Sequence, residues 1–278
     1  MFETRLDLGR TTLNVARSVN DGSPLVLWHG LARRWQDFAN LLPALGSRYA
    51  ITAVDHRGHG KSARMPGEYL VADYVADGIA LLDSEVREPA ILYGHSLGAL
   101  TALGVAAARP ESVLAVVLED PPSASLLTNI EGTNHGLTWR TMRERAGMPD
   151  LKVTIDALAQ IRLVDGRTLG EVRDAAALRF LGRCLVDLDP ETLTPALEGH
   201  WLNGFDLLAI AWRVECPVLL LASDPDVGGM LPSQDAADLA AALPDCCRVD
   251  FPGRGHLLHG EHPEAVLKVV LPFMESLR

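Results

Sequence analysis

The sequence predicts an α/β protein built on a mostly parallel sheet with helices on both faces. Three observations carry this reading. Short, continuous apolar runs alternate with helix-spaced segments toward both ends of the chain. The alternation stops over residues 123–212, where the pattern is helical and amphipathic. A glycine-rich turn around Ser96 joins one apolar run directly to the helix after it.

The elements follow in order. Residues 3–8 and 12–19 alternate apolar and polar side chains about a Gly9-Arg10 turn, as an antiparallel edge hairpin does. Residues 24–28 (PLVLW) are then apolar without interruption, as a strand buried on both faces should be. A helix is predicted over 35–45, a strand over 50–54, a helix over 71–82 and a strand over 90–93. A helix over 97–109 and a strand over 113–118 (VLAVVL) complete the first half. After the break come a strand over 217–222 (PVLLLA), a helix over 233–243, a strand over 248–251 and a closing helix over 263–274. The core is therefore expected to comprise residues 1–122 and 213–278, with 123–212 inserted as a helical cap after the sixth strand. The cap carries Trp139, Met142, Met148, Phe180, Trp201 and Phe205. It reads either as a packing appendage or as the cover of a pocket. The second is favoured, because pockets in open α/β sheets lie at the carboxyl ends of the strands.

Composition narrows the function. Of 278 residues, 48% are hydrophobic and 22% charged, the balance of a packed globular chain rather than a disordered one. The formal net charge of -11 repels phosphate backbones, so nucleic acid is not an expected partner. The small-apolar stretch 97–108 is too short and alanine-rich to span a bilayer, so no membrane partner is expected either. The four cysteines, Cys184, Cys216, Cys246 and Cys247, form no C-x-x-C pair and are expected as reduced thiols. The first ten residues hold no basic segment followed by an apolar run, and the cytoplasm is the expected address.

The chemistry is expected at Gly94-His95-Ser96-Leu97-Gly98, which fits G-x-S-x-G between a buried strand and a helix. A turn that sharp needs small neighbours, which Gly94 and Gly98 supply, and it is expected to leave Ser96 exposed above the sheet. A serine hydroxyl is a weak nucleophile until a base takes its proton. His256 fits that role, on the loop Pro252-Gly253-Arg254-Gly255 directly after the last predicted strand. Two backbone N–H groups should hold the developing oxyanion. One is expected from Leu97, after the nucleophile, and the other from Leu31, in the His29-Gly30-Leu31 loop after PLVLW. The run HLLHGEH adds His259 and His262, but its spacing follows no standard metal-ligand pattern. These two are expected as surface histidines, and no metal is expected.

His29-Gly30, the run Asp55-His56-Arg57-Gly58-His59-Gly60-Lys61-Ser62, the GHSLG turn and the late Gly255-His256 together resemble the α/β-hydrolase family. The D-x-R-G-x-G-x-S pattern is specific to it, and the match spans both ends of the chain, leaving only the cap unplaced. The resemblance implies an eight-stranded, mostly parallel sheet, no cofactor, and a structural role for Asp55 and Arg57 in bracing loops beneath the site. It also implies an acid that orients the histidine. In most members that acid follows the strand after the cap, where Asp226 stands in Ser223-Asp224-Pro225-Asp226. In others, dehalogenase-like and some lactone-hydrolysing members among them, it ends the strand before the cap, where Asp120 stands in Glu119-Asp120-Pro121-Pro122. Both remain open on the sequence, with Asp224 and Glu119 behind them.

The activity this implies is hydrolysis of a carboxylic ester or lactone through an acyl-enzyme. The substrate is expected to be small to medium in size and hydrophobic, held in the cap by Trp139, Met142 and Trp201. Carbon–carbon bond hydrolysis of a vinylogous diketone is a second reading, and a slow-turnover small-molecule binding protein a third. Halide displacement and epoxide opening use an aspartate at the elbow in this family, so Ser96 counts against both. Oligomeric state stays open, a homodimer included.

Overall fold

The computed structural model describes residues 1–277. Eight strands form one sheet: β1 (Phe2–Asp7), β2 (Thr12–Arg17), β3 (Ser23–Trp28), β4 (Tyr49–Asp55), β5 (Ala90–His95), β6 (Val113–Glu119), β7 (Val218–Ser223) and β8 (Cys246–Phe251), in the order β1-β2-β4-β3-β5-β6-β7-β8. β2 pairs antiparallel with both β1 and β4, and every other pairing is parallel. The central strands are apolar on both faces because both are covered. Val26, Trp28, Leu92, Val116, Leu118 and Leu220 point into one core layer. Leu25, Leu27, Ile91, Tyr93, Val117 and Leu219 alternate with them into the other.

The first layer is closed by α1 (Val71–Glu85), α2 (Leu97–Ala108), the helical insertion and, later in the chain, Ser233–Ala242. α2 is buried over nearly its whole circumference, which is why its sequence is small and apolar without a polar stripe. The insertion between β6 and β7 is helical as expected, with α3 (Asn134–Arg145), α4 (Leu151–Ala159) and α5 (Ala175–Val186) as its longest elements. α6 (Ser233–Ala242) and α7 (Pro263–Glu275) follow, α7 covering the second layer through Val266, Val270 and Met274.

The predicted helix over 35–45 is not continuous. It divides into a 3-10 turn, Trp35–Asn40, and a short α-helix, Leu42–Gly46, with Pro43 in the first turn of the second piece. Pro43 has no N–H to continue a helix through it and starts a new one instead. Registers His95↔Glu119 and Glu119↔Leu221 bring the carboxyl ends of β5, β6 and β7 side by side. The sequence motifs converge on that edge.

Candidate active site

Ser96 follows β5 at φ 55°, ψ -117°, and α2 starts at the next residue; the serine is buried rather than exposed, enclosed by the loops packed on the turn. The turn is tight enough to make its glycines obligatory. A Cβ on Gly94 would lie 2.0 Å from the Gly98 carbonyl oxygen, and one on Gly98 would lie 2.0 Å from that of Trp28. Ser96 N–H donates to the Glu119 carbonyl at 2.9 Å, tying the elbow to the end of β6.

Asp120 is the next residue on β6, at φ 46° and fully buried. Its Oδ2 is 2.6 Å from His256 Nδ1 and also accepts the Met230 N–H at 2.8 Å. Its Oδ1 accepts the Ser223 N–H at 3.3 Å. Burial pushes the Asp120 carboxyl up to about 6, against the opposing pull of the Met230 N–H. Burial, with His135 beside it, holds the His256 ring well below its ordinary value, so it is neutral at pH 7. A neutral ring bonded through Nδ1–H to a carboxylate has Nε2 left as a base. The Ser96 hydroxyl and the His256 ring are not hydrogen-bonded to each other among the described residues, a common condition of such sites before substrate enters. Their link here is His95, whose ring lies 4.5 Å from that of His256.

Asp226 is not brought to the histidine. It lies in an exposed turn, Pro225–Val227, with its N–H on Asp224 Oδ1 at 3.0 Å. Asp224 holds that turn and also accepts the Gly253 N–H at 2.7 Å.

Gly30 packs directly on the elbow: a Cβ there would fall 2.8 Å from His95 Nδ1 and 3.1 Å from Ser96 Cβ. This sets the 29–32 loop beside the serine. Neither Leu31 N–H nor Leu97 N–H reaches a protein acceptor among the described residues. The loop is held instead by its neighbours. Ala32, at φ 60°, donates its N–H to His59 Nε2 at 3.1 Å, and the His56 N–H donates to His29 Nε2 at 3.1 Å. Burial keeps both rings neutral, His29 at about 4 and His59 at about 3, so each can accept at Nε2. Below, Asp55 accepts N–H groups from Trp35 and Lys61, and buried Arg57 grips Asp77 through two nitrogens.

Aromatic residues of the helical insertion form a file leading away from His256. The His135 ring on α3 stands 5.3 Å from His256 in a T-shaped contact. Trp139, one turn on, is 6.2 Å from His135 and 6.0 Å from Trp201. Trp139, Met142 and Trp201 are all buried. Met148 is exposed, and Phe180 lies under the guanidinium groups of Arg33 and Arg34.

The sequence profile of the alpha/beta hydrolase family matches residues 25–269. The chain belongs to that family. Over 98% of its length it is 31% identical to 2-(acetamidomethylene)succinate hydrolase of Mesorhizobium japonicum, covering 95% of that protein. It is 29% identical to the pimeloyl-(acyl-carrier protein) methyl ester esterase of Chromobacterium violaceum, over 93% of this chain and 97% of that one. The crystal structure of E-2-(acetamidomethylene)succinate hydrolase resembles it with a TM-score of 0.80 at 26% identity, covering 99% of both chains. Hydrolysis is the reaction class of these relatives, and this alpha/beta hydrolase falls within it.

Two features of this alpha/beta hydrolase escape sequence reasoning. His135 is one: its Nε2 is 2.8 Å from the Gly228 carbonyl, joining the helical insertion to the loop that also bonds Asp120. Nothing in its local pattern distinguishes it from a surface histidine on an amphipathic helix. His259 is the other, and the expectation of a surface position is corrected: it is fully buried, while His262 is half-buried. The buried carboxylates of Glu119 and Asp37 face it, and they are remote in sequence. Among the described residues, no helix is long and apolar enough to cross a membrane.

Proposed function

We propose that this protein hydrolyses a carboxylic ester or lactone through an acyl-enzyme, with Ser96 as nucleophile, His256 as base and Asp120 as the acid that orients it. The observation that carries the reading is the 2.6 Å contact between buried Asp120 and His256 Nδ1, alongside a serine at φ 55° on the adjacent strand end. Ser96 Oγ bonds to the acyl carbon while its proton passes to His256 Nε2. The tetrahedral oxyanion is held by the N–H groups of Leu31 and Leu97. The intermediate collapses by breaking the bond to the leaving oxygen, which takes the proton from His256. Water then attacks the acyl carbon, again giving its proton to His256, and Ser96 leaves with that proton as the acid is released.

Residues 123–212 act in this reading as a cap, and Trp139, Met142 and Trp201 as the apolar wall against a small or medium hydrophobic substrate. The ester-cleaving relative supports an ester substrate. The test is labelling with a serine-directed fluorophosphonate, followed by peptide mass spectrometry and by turnover of a simple aryl ester. One adduct per chain on Ser96, lost in His256→Ala, together with multiple turnover, is the expected result. Folded protein that takes no label and shifts its melting temperature with ligand without releasing product would be a binding protein instead.

A further inference from the structure

We infer that His259 is a charged positioning residue: a buried imidazolium ion that locks together the strand end carrying Asp120, the loop carrying His256 and the segment after the oxyanion loop. The inference rests on the Ser96, His256 and Asp120 reading above.

The geometry gives the ring two anionic partners. His259 Nδ1 is 2.8 Å from Glu119 Oε1, and its own backbone N–H donates to the same oxygen at 3.0 Å. On the opposite side, Nε2 is 3.3 Å from Asp37 Oδ2, an ion-pair contact rather than an aligned hydrogen bond. His259 and Glu119 have no exposed surface, and Asp37 has 7%. The free side of each carboxylate is already taken. Tyr93 donates its hydroxyl to Glu119 Oε2 at 2.6 Å, and Arg33 Nε donates to Asp37 Oδ1 at 2.8 Å. Phe38 stacks on the imidazole at 4.7 Å.

Donor counting decides the ring's state. A neutral imidazole has one N–H, so its other nitrogen would turn a lone pair toward the second buried carboxylate. The protonated ring turns an N–H toward each and closes the charge: two carboxylates against the Arg33 guanidinium and the imidazolium. Asp37, His95 and His259 do bring one ligand atom each to within 4.8 Å of one another. A divalent cation among them would need His259 neutral and would leave the cluster one positive charge in excess.

The cluster touches every part of the site. Glu119 is covalently next to Asp120, and its carbonyl holds the Ser96 N–H. Arg33 follows the oxyanion loop. His95 stands edge-on to His259 at 4.9 Å and reaches the His256 carbonyl through Nε2 at 3.0 Å. The charged and titratable groups around His259 are thus Asp37 and Arg33 from the segment after β3, Tyr93 and His95 from β5, Glu119 from β6, and His256 from its own loop. Burial alone would lower the His259 pKa, but Glu119 and Asp37 outweigh it and raise it to about 9. Because it is raised above the ordinary value, the stabilisation is complete below about pH 6.5 and is lost as pH climbs through about 9.

The test has two readouts. First, in ¹⁵N-histidine-labelled native protein at pH 7.5, one ring assigned to His259 by its loss in His259→Gln should show both nitrogens protonated. Second, the rate of Ser96 fluorophosphonylation should fall on the alkaline side with a midpoint near the same titration. In Glu119→Gln, or in Asp37→Asn where the first variant fails to fold, that alkaline limb should move down by about one pH unit or more. The rate at neutral pH should drop on the order of 10²-fold. A merely structural role would lower the melting temperature and leave the limb in place. A neutral His259 ring at pH 7.5, or an unmoved limb in a folded variant, overturns the proposal. Native protein that never labels at Ser96 overturns the active-site reading itself, whatever the ring's protonation.

Discussion

Asp120 and Asp226 stand near the ends of neighbouring strands, and spacing alone could not choose between them. Hydrogen-bond donors separate them. Asp120 collects the Met230 and Ser223 N–H groups and the His256 ring, whereas Asp226 has an exposed turn around it. Asp120→Asn should therefore lower kcat about 10⁴-fold by holding the wrong histidine tautomer. Asp226→Asn should leave it within about twofold. Steady-state kinetics on an aryl ester compares them, and equal activities would refute the assignment. The carboxyl must be ionised and the ring neutral for turnover, so kcat/KM should decline as pH falls through about 6, as one titration of the pair. Ser96 and His256 were legible because their demands are local: small neighbours for a sharp turn, and a loop after the last strand. Glu119 and His259 were not. They are 140 residues apart, His259 alone looks like a surface residue, and Glu119 reads only as a lesser candidate for the triad acid.

Among elements, α3 brings His135 beside the His256 ring and Trp139 beyond it. Its spacing puts His135 and Trp139 one turn apart on one face, so the helix offers a polar contact at its start and an aromatic one beyond. The sequence picked out Trp139 and passed over His135, because aromatic residues in an insertion advertise burial and a lone histidine does not. Trp139→Ala removes a side chain only 6% exposed and should cost about 3 kcal/mol in urea unfolding. If the residue also lines the substrate wall, KM for an aryl ester should rise several-fold while the rate of Ser96 labelling by a small fluorophosphonate stays near native. An unchanged KM would reduce Trp139 to packing. The broken helix after β3 shows what patterning misses: the apolar spacing over 35–45 is real, but Pro43 converts one helix into two pieces.

At the scale of the molecule, the order of strands and helices was readable because every central strand is apolar on both faces and every crossover helix has a stripe or is buried outright. The helical insertion was readable as an interruption but not as an arrangement. It packs into the first core layer through residues such as Phe205 and Leu207, and polar links between distant residues fasten it, such as the Tyr69 hydroxyl on Asp189 Oδ2 and the Asp189 N–H on the Gly58 carbonyl, each 2.8 Å long. No periodicity encodes such pairs.

The only non-glycine residues at positive φ among those described are Ala32, Ser96 and Asp120. All three lie in the loop, elbow and strand end that make the candidate site. The backbone tension of this protein is thus concentrated at the proposed site, and on that reading relieving it trades turnover for thermal endurance. Ser96→Gly should be dead toward esters yet melt a few degrees higher, a gain on the order of 1 kcal/mol. Calorimetry of that variant is the check, and a lower melting temperature would contradict it. A breeding programme that rewarded yield and solubility alone would find the inert variants first. It would arrive at a sturdier protein with nothing to do.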